Sequence, residues 1–200
     1  LISKTMPELL QEPMLINTGD SVNRTSVGKA IIDGYAKDSE LYNFAPYPEI
    51  SFDELRSWVD SDYPTIFYEV TKKMLAGAIA DEDLRTIATE AYSTDNFDFD
   101  EEDNNLRFTT LPSGIHVVGL SDGPTGAFKD MAMQPFARWM SHLLKGEQLT
   151  VLLSSSGDTA PAAFDAFGPI PNIDIAALTP RDGVYPFQGA QMRESSDKYD

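Results

Sequence analysis

Apolar positions in the first half of the chain recur at helical spacing. Residues 26–35 read as a short helix. Ser51 precedes Phe52-Asp53-Glu54, which puts Glu54 at the capping-box distance for a helix running to about residue 60. Pro64 sits at a natural first-turn position for a helix over residues 65–80. Along it, Ile66, Phe67, Val70, Met74, Leu75 and Ile79 fall near one face. A further helix over residues 81–92 turns Leu84, Ile87, Ala88 and Ala91 inward. The pattern predicts a mainly helical N-terminal domain over residues 1–105.

From Leu106 the pattern alternates. Residues 114–120 (GIHVVGL), 148–153 (QLTVLL) and 173–178 (IDIAAL) read as strands. Between and after them, residues 128–145, 159–167 and 185–192 read as helices. The first of these buries Met131, Met133, Phe136, Trp139, Met140 and Leu143; its methionines read as core rather than as an interaction surface. Strands alternating with helices imply a parallel sheet, so the fold class is α/β, with residues 106–200 forming part of a parallel-sheet domain. The final stretch, RESSDKYD, reads as a polar tail without a packed element.

Charge narrows the partners. With 32 acidic and 15 basic residues among 200, the formal net charge is -17, a surface that repels phosphate backbones and makes nucleic acid a poor partner. Six carboxylates crowd into residues 95–103 (DNFDFDEED), which read first as a solvated loop or hinge and second as a cation site. Cysteine is absent, which excludes disulfides, thiolate catalysis and cysteine-ligated zinc. No apolar run reaches the ~18 residues of a membrane span, and residues 1–13 show neither a basic n-region nor an apolar core of a signal peptide. The expectation is a cytoplasmic protein that works without a membrane or a metal; an oligomer is left open. His116 and His142 lie outside any ligand cluster and read as ordinary residues, one in a strand and one on the outer face of a helix.

Two loops carry chemistry. Asp122-Gly123-Pro124-Thr125-Gly126-Ala127-Phe128-Lys129-Asp130 presents one ammonium, Lys129, between a strand-like stretch and a helix. Open α/β sheets bind ligands at such places, and a lysine there can form a Schiff base. Ser154-Ser155-Ser156-Gly157-Asp158-Thr159 follows a strand and opens a helix, so its backbone N–H groups and hydroxyls suit an anion such as a carboxylate; alone, it reads first as a helix cap. Both loops are expected at the C-terminal ends of parallel strands, facing one crevice.

These residues resemble threonine synthase. Leu120 to Thr125 followed by Ala127 to Gln134 is similar to that family's pyridoxal-phosphate lysine motif, and Ser156-Gly157-Asp158-Thr159 to its SGDT loop. Leu178-Thr179-Pro180, Pro186-Phe187-Gln188 and Gln191-Met192 resemble the segment that follows. Gly34-Tyr35-Ala36-Lys37-Asp38 and Glu90-Ala91-Tyr92 are compatible with its N-terminal half. The chain departs where Ser39 and Glu40 replace two glycines, and where Ala160 and Pro161 follow SGDT in place of a glycine. After Pro180, Gly183 replaces a basic residue and Tyr185 a hydroxyl residue.

The resemblance implies the N-terminal part of a fold type II pyridoxal-phosphate enzyme, a carbon–oxygen lyase that acts on a phosphate ester. The family's reaction converts O-phosphohomoserine and water to threonine and phosphate. Lys129 would hold the cofactor and shuttle protons. Phe128 and Asp158 would lie against the cofactor, while Ser156, Gly157 and Thr159 would hold the substrate carboxylate. Gln134 would give structural support. The family's glycine-rich loop for the cofactor phosphate and its partner for the pyridine nitrogen lie beyond the matched region, so activity would belong to the longer protein. Two alternatives stand beside this one: a divergent phospho-lyase of the same fold, and a non-catalytic binding or regulatory remnant.

Overall fold

The computed structural model describes residues 12–100 and 102–199. The segment read as carrying no signal peptide lies mostly outside the described residues. A three-stranded antiparallel sheet comes first, formed by β1 (Met14–Asn17), β2 (Arg24–Ser26) and β3 (Tyr42–Phe44) with β1 in the centre. Strands of three or four residues are too short to show an alternating pattern, so the helical reading of this half omits them. Helix α1 (Val27–Asp33) starts under Ser26, whose Oγ accepts from the Lys29 N–H at 3.3 Å, and stops at Gly34, where φ is 73°.

Helix α2 (Phe52–Ser57) carries the expected capping box: the Glu54 N–H donates to Ser51 Oγ at 3.2 Å, and the Ser51 N–H to Glu54 Oε2 at 2.8 Å. It ends three residues short of the expected end. Helix α3 (Tyr63–Leu75) is capped by Asp62, which accepts from the Thr65 N–H at 3.1 Å. It also stops early, because Ala76 turns to extended backbone and Gly77 takes a φ of 78°. Ile79, assigned to the helix face from the sequence, instead packs from the turn. Helix α4 (Asp81–Ala91) has the four buried residues expected of it. Leu84, Ile87 and Ala88 meet Tyr68, Leu75, Ile79 and Val27 in one core. Each large side chain fully buried there contributes about 1.5–3 kcal/mol relative to exposure.

The acidic run is a loop, but two of its side chains are anchors. Phe97 and Phe99 are buried with Tyr92 in an aromatic cluster, and Tyr63 joins it at 4.9 Å from the Tyr92 ring. Their alternation with carboxylates (FDFD) sends the charges outward.

The strand expected over residues 114–120 is shorter and pairs differently. Strand β5 (His116–Val118) lies antiparallel to β4 (Phe108–Thr110) in an exposed hairpin. The Leu111-Pro112-Ser113-Gly114 turn closes it: the Gly114 N–H donates to the Leu111 carbonyl at 2.9 Å, and Gly114 has a φ of 81°. A turn this short permits only antiparallel pairing. Next comes α5 (Asp130–Leu144), which packs on the first core through Trp139 and Leu143. Its residues Met131, Met133, Phe136, Trp139 and Leu143 are half-buried rather than fully covered; Ala137, Met140 and Leu144 form the buried line.

Strands β6 (Leu149–Ser154) and β7 (Ile173–Leu178) are parallel, with Leu149 opposite Ile173 and Ser154 opposite Leu178. Helix α6 (Thr159–Phe167) connects them and packs with α5 on one face, burying Ala163, Ala166 and Phe167 against Val151, Leu153 and Ile175. The other face leaves Leu152 and Leu178 exposed. Helix α7 (Pro186–Asp197) extends the expected 185–192 element, so residues 193–197 are helical rather than an unpacked tail. Met192 is buried against Ala160 and Phe164, and the Tyr199 ring packs over Gly168, where a Cβ would meet it. Among the described residues, no helix is long and apolar enough to cross a membrane.

Candidate functional site

The lysine loop is shaped by short-range bonds. Gly123-Pro124-Thr125-Gly126 is a β-turn, the Gly126 N–H donating to the Gly123 carbonyl at 3.0 Å, with proline and glycine at favoured turn positions. Asp130, one residue past the lysine, folds back under the turn. It is fully buried and accepts from the Thr125 N–H at 2.9 Å and from Thr125 Oγ1 at 2.8 and 2.9 Å. Burial pushes the Asp130 carboxyl up from its ordinary value; the bonds from Thr125 and Ala127 oppose that shift. Gly123 has to be a glycine here, since a Cβ would lie 2.5 Å from Asp130 Cβ and 2.8 Å from a Phe97 ring carbon. The acidic run is tied in as well, with the Asp98 N–H donating to the Asp122 carbonyl at 2.9 Å.

A second support reaches the helix that follows. Pro135 lies inside α5 and has no N–H, so the Met131 carbonyl four residues earlier loses its helical donor. Tyr92 replaces that donor: its hydroxyl donates to the Met131 carbonyl at 2.6 Å. Its ring is buried at the end of α4 among Tyr63, Phe67 and Phe97, and burial first, then neighbouring Tyr63, pushes its hydroxyl pKa upward. Gln134 is buried and donates to Asp165 Oδ2 at 2.9 Å, joining α5 to α6.

Lys129 stands at the N-cap position of α5, its side chain 28% exposed. Its Nζ lies 3.9 Å from Asp158 Oδ2 and 4.5 Å from the centre of the Phe128 ring, which is itself exposed. The lysine loop and the Ser156-Gly157-Asp158-Thr159 loop therefore meet. Only the second leaves the end of a parallel strand. The lysine loop follows the antiparallel hairpin, which corrects the expectation that both extend parallel strands.

Ser155 stiffens the second loop: its Oγ accepts from the Gly157 N–H at 3.2 Å and donates to the Gly157 carbonyl at 3.0 Å. Asp158 is the N-cap residue of α6 but makes no side-chain cap there. Its Oδ1 instead accepts from Gln188 Nε2 of α7 at 2.7 Å. The first-turn N–H groups of α6 thus lack the side-chain acceptor that an N-cap aspartate ordinarily supplies. Gln191, one turn along α7, donates to the Thr125 carbonyl at 3.3 Å. One helix thereby contacts both loops. Sequence reasoning places Gln188 in a motif without a role; the only signal was its spacing from Gln191 on one helical face. Asp130 was equally silent, because its bond to Thr125 depends on the turn between them.

His116 and His142 stay outside the site. His116 Nδ1 lies 3.0 Å from Thr110 Oγ1 in the hairpin, and His142 Nε2 lies 3.7 Å from Asp83.

The family model described as threonine synthase N terminus matches residues 15–92. The curated threonine synthase of Pseudomonas aeruginosa is 32% identical over 164 residues, 81% of this chain and 34% of its own length. Among solved structures, the pyridoxal-phosphate-bound threonine synthase from Brucella melitensis matches with a TM-score of 0.81 and 32% identity, over 90% of this chain and 38% of that one. The Escherichia coli enzyme matches with a TM-score of 0.78 and 26% identity, over 90% of this chain and 40% of that one. The chain thus spans about a third of the length of the curated relative it matches. With likeness in sequence and in fold running across both the helical half and the two loops, the chain belongs to the threonine synthase family.

Proposed function

We propose that the chain carries the lysine-bearing part of a pyridoxal-phosphate site, and that the protein it represents converts O-phosphohomoserine and water to threonine and phosphate. The observation that carries this reading is the meeting of Lys129 Nζ and Asp158 at 3.9 Å, which brings an amine to the mouth of an uncapped helix. The donor set fits the cofactor: a primary amine can bond an aldehyde, and open first-turn N–H groups suit an anion. Bound there, pyridoxal phosphate supplies an electron sink for bond breaking next to an amino-acid nitrogen.

The chain's own residues take the following roles. Lys129 Nζ would hold the cofactor and, as a free amine, would move protons at the α and β carbons of the substrate. Phe128 and Asp158 border the cofactor beside that amine. Ser156, Gly157 and Thr159 hold the substrate carboxylate at the start of α6. Asp130, Thr125 and Tyr92 touch no substrate; they fix the loop that presents Lys129.

A second reading, elimination of phosphate without threonine formation, draws support from the loop after β7. Gly183 has a φ of 89° and offers no side chain there, and the Tyr185 side chain is exposed. The experiment uses the protein at its natural length with added pyridoxal phosphate. Borohydride reduction followed by peptide mass analysis is expected to place the cofactor on Lys129, and Lys129→Ala to abolish both that adduct and phosphate release. An adduct on another residue, or none, refutes the cofactor site. Threonine as the product supports the first reading; a 2-oxo acid supports the second.

A further inference from the structure

We infer that Gln188 is a positioning residue: its amide holds the Asp158 carboxylate beside Lys129. The inference rests on the reading of Lys129 as the cofactor-holding amine, and it adds a residue to which the family resemblance gives no role.

Asp158 precedes α6, but its backbone is already helical (φ -59°, ψ -17°) rather than the extended conformation from which a side chain caps a helix, so its carboxylate is left for other partners. The side chain is 41% exposed, yet both oxygens have protein groups near them. Gln188 Nε2 takes Oδ1 at 2.7 Å, and Oδ2 then lies 3.9 Å from Lys129 Nζ. Gln188 is itself fixed. It sits in the first turn of α7, one turn before Gln191, which bonds the Thr125 carbonyl of the lysine loop, and Lys198 near the helix end bonds Asp165 Oδ1 at 3.1 Å. Gly157 lets the amide come close, since a Cβ there would lie 3.2 Å from Gln188 Nε2. The amide donates to one carboxylate oxygen and leaves the other for the ammonium, a division that a hydrocarbon side chain at position 188 cannot make. Two ends of one short bond network therefore set how strongly Asp158 competes for the lysine amine.

The test measures how fast trinitrobenzenesulfonate labels Lys129 at fixed pH in the cofactor-free protein, read by peptide mass analysis against exposed Lys145 as an internal reference. A unit charge pair about 4 Å apart in water changes an equilibrium by about fivefold, which sets the scale of the effect. Asp158→Asn is expected to speed labelling of Lys129 by about fivefold. Gln188→Leu, which frees the carboxylate to leave, is expected to speed it in the same direction, and the double variant no further than Asp158→Asn alone. Gln188→Glu keeps the side-chain size but repels Asp158 toward the lysine, so labelling is expected to slow. Opposite signs for Leu and Glu are a signature that general loosening of the fold does not produce. The inference is overturned if Gln188→Leu labels at the wild-type rate, if Asp158→Asn does, or if both Gln188 variants shift the rate in one direction. Borohydride fixation of cofactor on Lys129 is a separate readout. Its failure removes the cofactor reading, whereas unchanged labelling rates remove the role of Gln188.

Discussion

Replacing Tyr92 by Phe tests whether a tertiary contact repairs a defect that proline builds into α5. The substitution keeps the ring that packs against Phe67 at 4.8 Å and Phe97 at 5.3 Å, and removes only the hydroxyl that donates to the Met131 carbonyl at 2.6 Å. An ordinary helical carbonyl would fall back on the N–H four residues later. Here that residue is Pro135, so none exists. Leaving a buried acceptor unpaired costs about 1–3 kcal/mol. We take about 2 kcal/mol, which for a chain of this size lowers the melting temperature by about 4–8 °C. The deciding measurement is a double-mutant cycle by urea denaturation. Pro135→Ala returns an N–H to the Met131 carbonyl, so Tyr92→Phe is expected to cost at least 1 kcal/mol less in that background, by the order of coupling seen for neighbours (about 0.5–3 kcal/mol). Pro135→Ala has its own effect through lost packing, and the cycle cancels it. Equal costs of Tyr92→Phe in both backgrounds would refute the reasoning.

Three further outcomes are expected. Gly123→Ala forces a Cβ against Asp130 and Phe97, neither of which can swing away, and is expected to destabilise by about 1–3 kcal/mol; Gly119→Ala, where the nearest atom is 3.7 Å away, is expected to stay within about 1 kcal/mol of wild type in the same urea titration. Glu54, bonded first to Lys73 and then to Ser51, has its carboxyl pulled down to about 2. Its contribution to stability is therefore present above its ordinary value of 4.5 and lost as pH falls through about 2, and Glu54→Gln should flatten the urea midpoint over that window. Asp130 is shifted the other way by burial, so its contribution is full below its ordinary value of 3.8 and declines as pH rises through the higher native one; Asp130→Asn should remove that decline, seen as a smaller fall of the midpoint with rising pH.

Much of the fold was legible locally. The capping box at Ser51 and Glu54, the inward face of α4, and the limits of α6 and β7 follow from spacing and side-chain chemistry within a few residues. The misreadings share a cause. The end of α3 depends on one positive-φ glycine, the pairing of β5 on a four-residue turn, and the extension of α7 on Met192 finding Ala160 and Phe164. Each is settled by a partner or a backbone state that hydrophobic spacing does not encode. At the site, the motifs named Lys129 and Asp158, but nothing in the spacing of residues 30 apart specifies that Gln188 takes the carboxylate.

The sequence by itself determines that Lys129 is presented on a glycine–proline turn, and that Pro135 deprives one carbonyl of its helical donor. Those are consequences of covalent structure and hold wherever the chain goes. Only the tertiary structure decides that Tyr92 supplies the missing hydrogen, that Asp130 closes the turn from beneath, and that α7 brings Gln188 to the carboxylate facing the lysine. Hydrogen bonds act over about 3 Å and need both partners held in place. Packing of distant segments provides that placement, and a local pattern does not.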